Sequence, residues 1–333
     1  MTEVSSNTSH LSVAMTTTGM THTADKNMVT SSVHNIVDFY FQIAVLIIGV
    51  VGTAANALVL YVLVASKQHK KNVLIVHQNA VDLFTSFFMI VTYMYITRLC
   101  NIHLTGSVGY WLCIMILNEC ITWCGTNVSA LNLAIITVER YLKVVYSAWS
   151  QNKLRNWMIY LAMLLSWSIA VINNLAVVFQ TSGVIDGVCY SIALWKNQTD
   201  RIFYFTWNFL SFYVIILVIF VFCYWRIVLV IRRQARVMAS HAISASNAAQ
   251  NQYNQIQSNV IKTMIFVSTC YAVSWLPANI LYMIITLHPY PIPFDGFYYG
   301  FMLLAYSYMC TNPFIYAIKL DPVRKVILHL IPC

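Results

Sequence analysis

Charge is scarce in this chain: charged residues are 9% of 333, against 59% hydrophobic residues and a mean hydropathy of +0.68. A soluble domain carries nearer a quarter of its residues as charges, so this composition belongs in a bilayer. Acids are few, ten in all, and no two are placed as a carboxylate pair. There is no glycine-rich phosphate loop and no Ser-His-Asp set on the loops, so nothing reads as catalysis. The nine cysteines stand singly, without a CxxC or a Cys/His spacing suited to zinc, so no cysteine-based metal site is expected. No internal repeat is evident, against a transporter built from inverted halves. The net charge of +9 comes without a basic face interleaved with stacking aromatics, so nucleic acid is not the partner.

What is present is seven apolar stretches, about 37–66, 73–99, 109–143, 154–180, 202–233, 257–288 and 296–319, each long enough to span a membrane. The expected fold is an all-α membrane bundle of seven helices followed by a short amphipathic helix. Of the 19 lysines and arginines, all but Lys26, Arg98, Lys196 and Arg201 fall on one side if the chain crosses an odd number of times. That side is expected to be cytosolic and the N-terminus extracellular. Three regions result: a disordered outer tail (1–33), the spanning domain (34–320) and a cytoplasmic segment (321–333) opened by Asp321 and Pro322. Sequons at Asn7 and Asn197 lie on the expected outer side, whereas one at Asn127 falls inside the third span and should stay unmodified. Cys113 and Cys189 sit at or beyond outer span ends, where a disulfide persists, and Cys100 competes for either. Cys333 offers a palmitoylation site, or is simply a terminal thiol.

The third span carries a polar line. Glu119, Thr122, Thr126, Ser129, Leu133, Thr137 and Arg140 fall on or near one face at helical spacing. From Thr122 to Arg140 the rise is about 27 Å, close to a hydrocarbon core, so the two ends of this line reach opposite membrane faces. Asp82 lies within the second span, where an ionisable group marks function by default. With Asn56, Ser129 and Asn312 it is expected to form a polar knot satisfied by water or a sodium ion; the plainer alternative is a protonated or hydrogen-bonded structural aspartate. Only Pro277 and Pro313 lie within spans, each removing a backbone hydrogen bond beside polar or aromatic neighbours.

Several of these residues stand in motifs. Glu139-Arg140-Tyr141 looks like (D/E)RY, Ser274-Trp275-Leu276-Pro277 like CWxP with serine for cysteine, and Asn312-Pro313-Phe314-Ile315-Tyr316 like NPxxY. Asn56, Asp82 and Trp167 match on the first, second and fourth spans. From about residue 37 to 330 the chain resembles the rhodopsin-like (class A) G-protein-coupled receptors. The resemblance implies a ligand outside, a heterotrimeric G protein inside and a plasma-membrane location. Glu139 would hold Arg140 at rest; rotation near Trp275 would swing the sixth span outward, and Arg140 would extend toward Tyr224 and Tyr316 to admit a Gα helix. It also implies the Cys113–Cys189 bridge. The chain departs from the family at Ile216, where the fifth span usually has proline, at Tyr308 and Met309, which replace a polar pair that helps hold sodium, and at Cys113, which lies farther from Arg140 than usual.

Tyr306 occupies the level of the opsin lysine, so no retinal is expected, and Thr122 stands where amine receptors place an aspartate. Glu119 is either a displaced partner for a cationic ligand group or a rim acid paired with Arg98 or water. Trp123, Tyr282, Tyr298, Tyr299 and Tyr306 offer aromatic walls, and Thr126, Trp275 and Asn279 complete the candidate ligand set. With the usual amine site missing, the expected ligand is a neuropeptide, the alternative a small amine or other small molecule. A transporter or channel is the alternative of a different class, for which only Asp82 and Glu119 could line a path. Phosphorylation-dependent arrestin binding would have to use Ser240, Ser244, Ser246 or Ser258.

Overall fold

Ten helices account for almost all of the computed structural model, which describes residues 20–70, 72–99, 104–191, 194–240, 248–287 and 296–319. They are α1 (Met20–Ala65), α2 (Val73–Leu99), α3 (Gly106–Leu112), α4 (Cys120–Val145), α5 (Ser147–Lys153), α6 (Asn156–Thr181), α7 (Gln198–Phe209), α8 (Ile215–Ser240), α9 (Ala248–Leu287) and α10 (Gly296–Lys319). Among the described residues six stretches are long and apolar enough to cross a membrane, and α10 coincides with the seventh expected span. The chain divides into two units, Met1–Phe41 and Gln42–Cys333, and the second contains the helix bundle. Helix α1 begins at Met20, inside the segment expected to be a tail, because a formed helix propagates more readily than it starts.

The third span is the centre of the bundle. Of its most apolar window 67% is buried, against 28–39% for the other five. Close approach to α2 is set by Gly125, where an added Cβ would meet Thr85 Oγ1. Val81, Val128 and Ala170 then pack α2, α4 and α6 together, with Trp167 against them.

Two spans are interrupted rather than straight. The third passes from α3 through a π-helical turn, Cys113–Leu117, to Asn118 and Glu119, which takes a left-handed φ of 52° before α4 starts. The expected single helix over 109–143 is therefore corrected to two helices with a break. The fifth has a π-helical turn at Leu210–Val214, between α7 and α8, so a bulge is present although Ile216 replaces proline. Between α6 and α7 lies a hairpin, β1 (Gly183–Ile185) with β2 (Val188–Tyr190), turned by Asp186 and Gly187 at φ 51° and 76°. Two successive positive φ values are what a two-residue hairpin loop requires, and Asp-Gly meets them.

Candidate functional site

At the hairpin end of the bundle, Cys113 on the π turn is bonded to Cys189 on β2. Asn118 locks the junction: its amide donates to the Cys113 carbonyl at 2.9 Å and its oxygen accepts from Ser182 Oγ at 2.9 Å. This junction takes up the longer path from Cys113 to Arg140. It also turns Glu119 inward. Its carboxylate accepts from Tyr93 Oη of α2 and Tyr306 Oη of α10, both at 2.8 Å, so one acid joins three spans. Arg98, the other partner weighed for it, has a side chain outside the described residues. Below Glu119, Trp123 meets Trp275 edge-on at 6.1 Å and Tyr306 at 6.3 Å, while Tyr282 and Tyr298 pair through their hydroxyls at 3.3 Å. Tyr299 packs on Tyr298. Thr126 and Asn279 bond back to the Thr122 and Trp275 carbonyls, whereas Thr122 Oγ1 and Trp275 Nε1 are buried without a hydrogen-bond partner among the described residues.

Midway along the bundle Asp82 is 1% exposed and fully engaged. Oδ1 accepts from Ser129 Oγ at 2.7 Å, Oδ2 from Asn312 Nδ2 at 2.7 Å, and Gln78 Nε2 lies 3.2 Å from both. Behind Gln78 runs a directed chain of donors. Trp167 Nε1–H can only donate, so His77 accepts at Nε2 (3.1 Å) and carries its proton on Nδ1, toward Asn132 Oδ1 at 2.9 Å. Asn132 Nδ2 donates to Gln78 Oε1 at 2.8 Å, which leaves the Gln78 amide N–H groups for Asp82 and Ser129 Oγ. Asn56, expected in the knot, donates instead to the Gly52 and Met309 carbonyls at 2.9 and 3.1 Å, fastening α1 to α10.

At the opposite end from the disulfide, Glu139 is approached by Arg140 Nε at 3.5 Å and by Lys143 Nζ, which donates to Oε1. Tyr141 packs at a tilt against Phe222 of α8. Tyr224 Oη bonds Thr137 Oγ1 and Ser268 Oγ, each at 3.0 Å, tying α8 to α4 and α9. Pro277 and Pro313 lie inside α9 and α10. Tyr316 is in α10 with its side chain outside the described residues, as are Asn7, Asp321 and Cys333 in full.

The 7 transmembrane receptor (rhodopsin family) model matches residues 55–316. The chain belongs to this family. It is similar to galanin receptor type 1 of Rattus norvegicus, 24% identical over 294 residues covering 85% of this chain and 79% of that receptor. Its likeness to neuropeptide Y receptor type 4-2 of Homo sapiens is 26% over 303 residues, 85% of this chain and 76% of that one. The fold superposes on squid rhodopsin with a TM-score of 0.71 at 18% identity, over 87% and 84% of the two chains. It is a multi-pass membrane receptor coupled to G proteins, and not an enzyme.

In this receptor the residues around Asp82 do not fit a sodium ion. A cation there needs oxygen lone pairs turned toward it, but the carboxylate oxygens already face N–H and O–H donors from Gln78, Ser129 and Asn312. The buried amide oxygens of Asn56 and Asn312 accept no hydrogen bond among the described residues, yet the carboxylate's own oxygens are committed to those donors. Gln78 and Asn132 escaped the sequence reading, although both sit at i,i+4 or i,i+3 from Asp82 and Ser129, the spacing that places helical residues on one face. Tyr93 escaped it too, since no charged residue stands within four positions of it to mark it.

Proposed function

We propose that the disulfide end faces the outside of the plasma membrane and binds a peptide with a cationic group, and that the Glu139–Arg140 end engages the G protein. The observation that carries the ligand assignment is Glu119, a carboxylate held among tyrosine hydroxyls, with aromatic faces below it and, at the next level, Thr122 Oγ1 and Trp275 Nε1, which have no partner among the described residues. Aromatic faces and a carboxylate together recognise an ammonium or guanidinium. An arriving cation joins a carboxylate that already bridges α2, the third span and α10, and so acts on the relative placement of three spans at once. The names of the galanin and neuropeptide Y relatives support a peptide. At the inner end, the basic residues flanking Arg140 suit the acceptance of a Gα C-terminal helix, and ligand and G protein favour the same open state, each raising affinity for the other.

The test is nucleotide exchange on a panel of purified G proteins, driven by libraries of basic peptides and of small amines. Basic peptides are expected to stimulate exchange in the wild type and not in Arg140→Ala, and Glu119→Gln at equal surface density is expected to lower their potency about tenfold, the loss of one charge-assisted contact. Stimulation by amines alone would replace the peptide reading with the small-molecule one. Equal exchange in Arg140→Ala would reject the mechanism.

A further inference from the structure

Glu139 has two carboxylate oxygens and two cations competing for them. Lys143, one turn further along α4, donates from Nζ to Oε1. Arg140 approaches Oε2 with Nε at 3.5 Å, and that N–H makes no hydrogen bond among the described residues. A guanidinium that grips a carboxylate firmly does so with two parallel N–H groups on two oxygens. Here Lys143 holds Oε1 and Arg140 approaches Oε2 with Nε alone, so no such fork is formed. The competition is written into the chain, because residues four apart are helical neighbours and Glu preceding Lys is the favourable order.

Among the described residues no second acid makes good the loss. Between Asp200 and Asp295, a stretch that contains the inner halves of the fifth and sixth spans and the joint between them, the chain has no acidic residue. Tyr224 holds α8 to α4 and α9 through neutral hydroxyl bonds only. Among the described residues Arg140 is thus restrained by one oxygen of one shared carboxylate.

We propose that Lys143 is a positioning residue that draws Glu139 away from Arg140, so that this receptor drives nucleotide exchange on its G protein without an agonist, to a level set by the Lys143 charge. The proposal rests on the assignment of the Arg140 end as the G-protein face. It is tested by GTPγS uptake in membranes carrying full-length receptor at matched surface density, supplemented with a panel of purified heterotrimers and no added ligand. Wild type is expected to exceed receptor-free membranes, and K143Q to fall about two- to threefold below it, the worth of one partly exposed i,i+4 ion pair. K143R keeps the charge and is expected to retain wild-type uptake, which a merely structural lysine would not require. E139Q, with Arg140 released altogether, is expected to reach at least the wild-type level. Uptake in E139Q but none above background in wild type overturns the proposal while G-protein coupling stands, as does equal uptake in K143Q and wild type. Absence of uptake in every variant, E139Q included, overturns the coupling assignment and the proposal with it.

Discussion

A buried carboxylate is tolerable only when its lone pairs are filled, and at Asp82 Ser129 and Asn312 fill one oxygen each while Gln78 reaches both. The glutamine is itself completely buried and orientated by Asn132, so its amide is delivered in one direction only. Hydrogen bonds to a charged group contribute about 1.5–3 kcal/mol each. Gln78→Leu, close in volume, is therefore expected to destabilise the receptor by about 2–3 kcal/mol, read as a Tm lower by several degrees in detergent. An unchanged Tm would mean that the relay from Trp167 to Asp82 contributes nothing to stability. Glu119 shows the other use of a buried acid. A left-handed glutamate costs about 1–2 kcal/mol relative to a helical one, and here that strain is offset by the Asn118 junction and the two tyrosine hydroxyls that hold its side chain.

Helices α2 and α4 approach closely because residue 125 has no side chain. A Cβ there would overlap Thr85 Oγ1, which is itself committed to the Val81 carbonyl at 2.7 Å and has nowhere to retreat. Gly125→Ala is expected to destabilise by about 1–3 kcal/mol, as overpacking does. Thr85→Ala in the same chain should restore part of the loss, so a double-mutant cycle on Tm should give a coupling of about 1 kcal/mol; strict additivity would show that the contact does not limit the approach. At this scale the sequence reveals some things and hides others. The spans were legible because a bilayer demands long charge-free runs, and (D/E)RY, NPxxY and the tryptophan-proline pair could be placed on them. The break at Glu119 was not, since it depends on a disulfide to β2 and on Asn118 reaching both sides of the junction, contacts that periodicity does not carry. Nor was the fifth-span bulge, for without proline a π turn leaves no residue-level mark. The hairpin was legible and went unread: Asp186-Gly187 between Val184-Ile185 and Val188 is its signal.

Over the whole molecule the two ends differ in kind. One holds the disulfide, the hairpin and a ring of tyrosines about Glu119; the other holds Arg140 and nearly all the lysines and arginines. The proposed orientation puts the basic end in the cytosol, the side that a loop charge bias of this kind favours. Asn197 adds an independent marker at the disulfide end. It is exposed and caps α7 by accepting from the Asp200 N–H at 2.7 Å through Oδ1, which leaves its amide nitrogen available for a glycan. Asn127, in the third matching sequon, is buried in α4. An epitope fused before Met1 is thus expected to stain on intact cells, and Asn197→Gln to lower the apparent mass of the receptor in a glycosidase-sensitive way, with Asn127→Gln leaving that mass unchanged. Staining only after permeabilisation would place the basic end outside, where it would meet no G protein, and would exchange the roles assigned to Glu119 and Arg140.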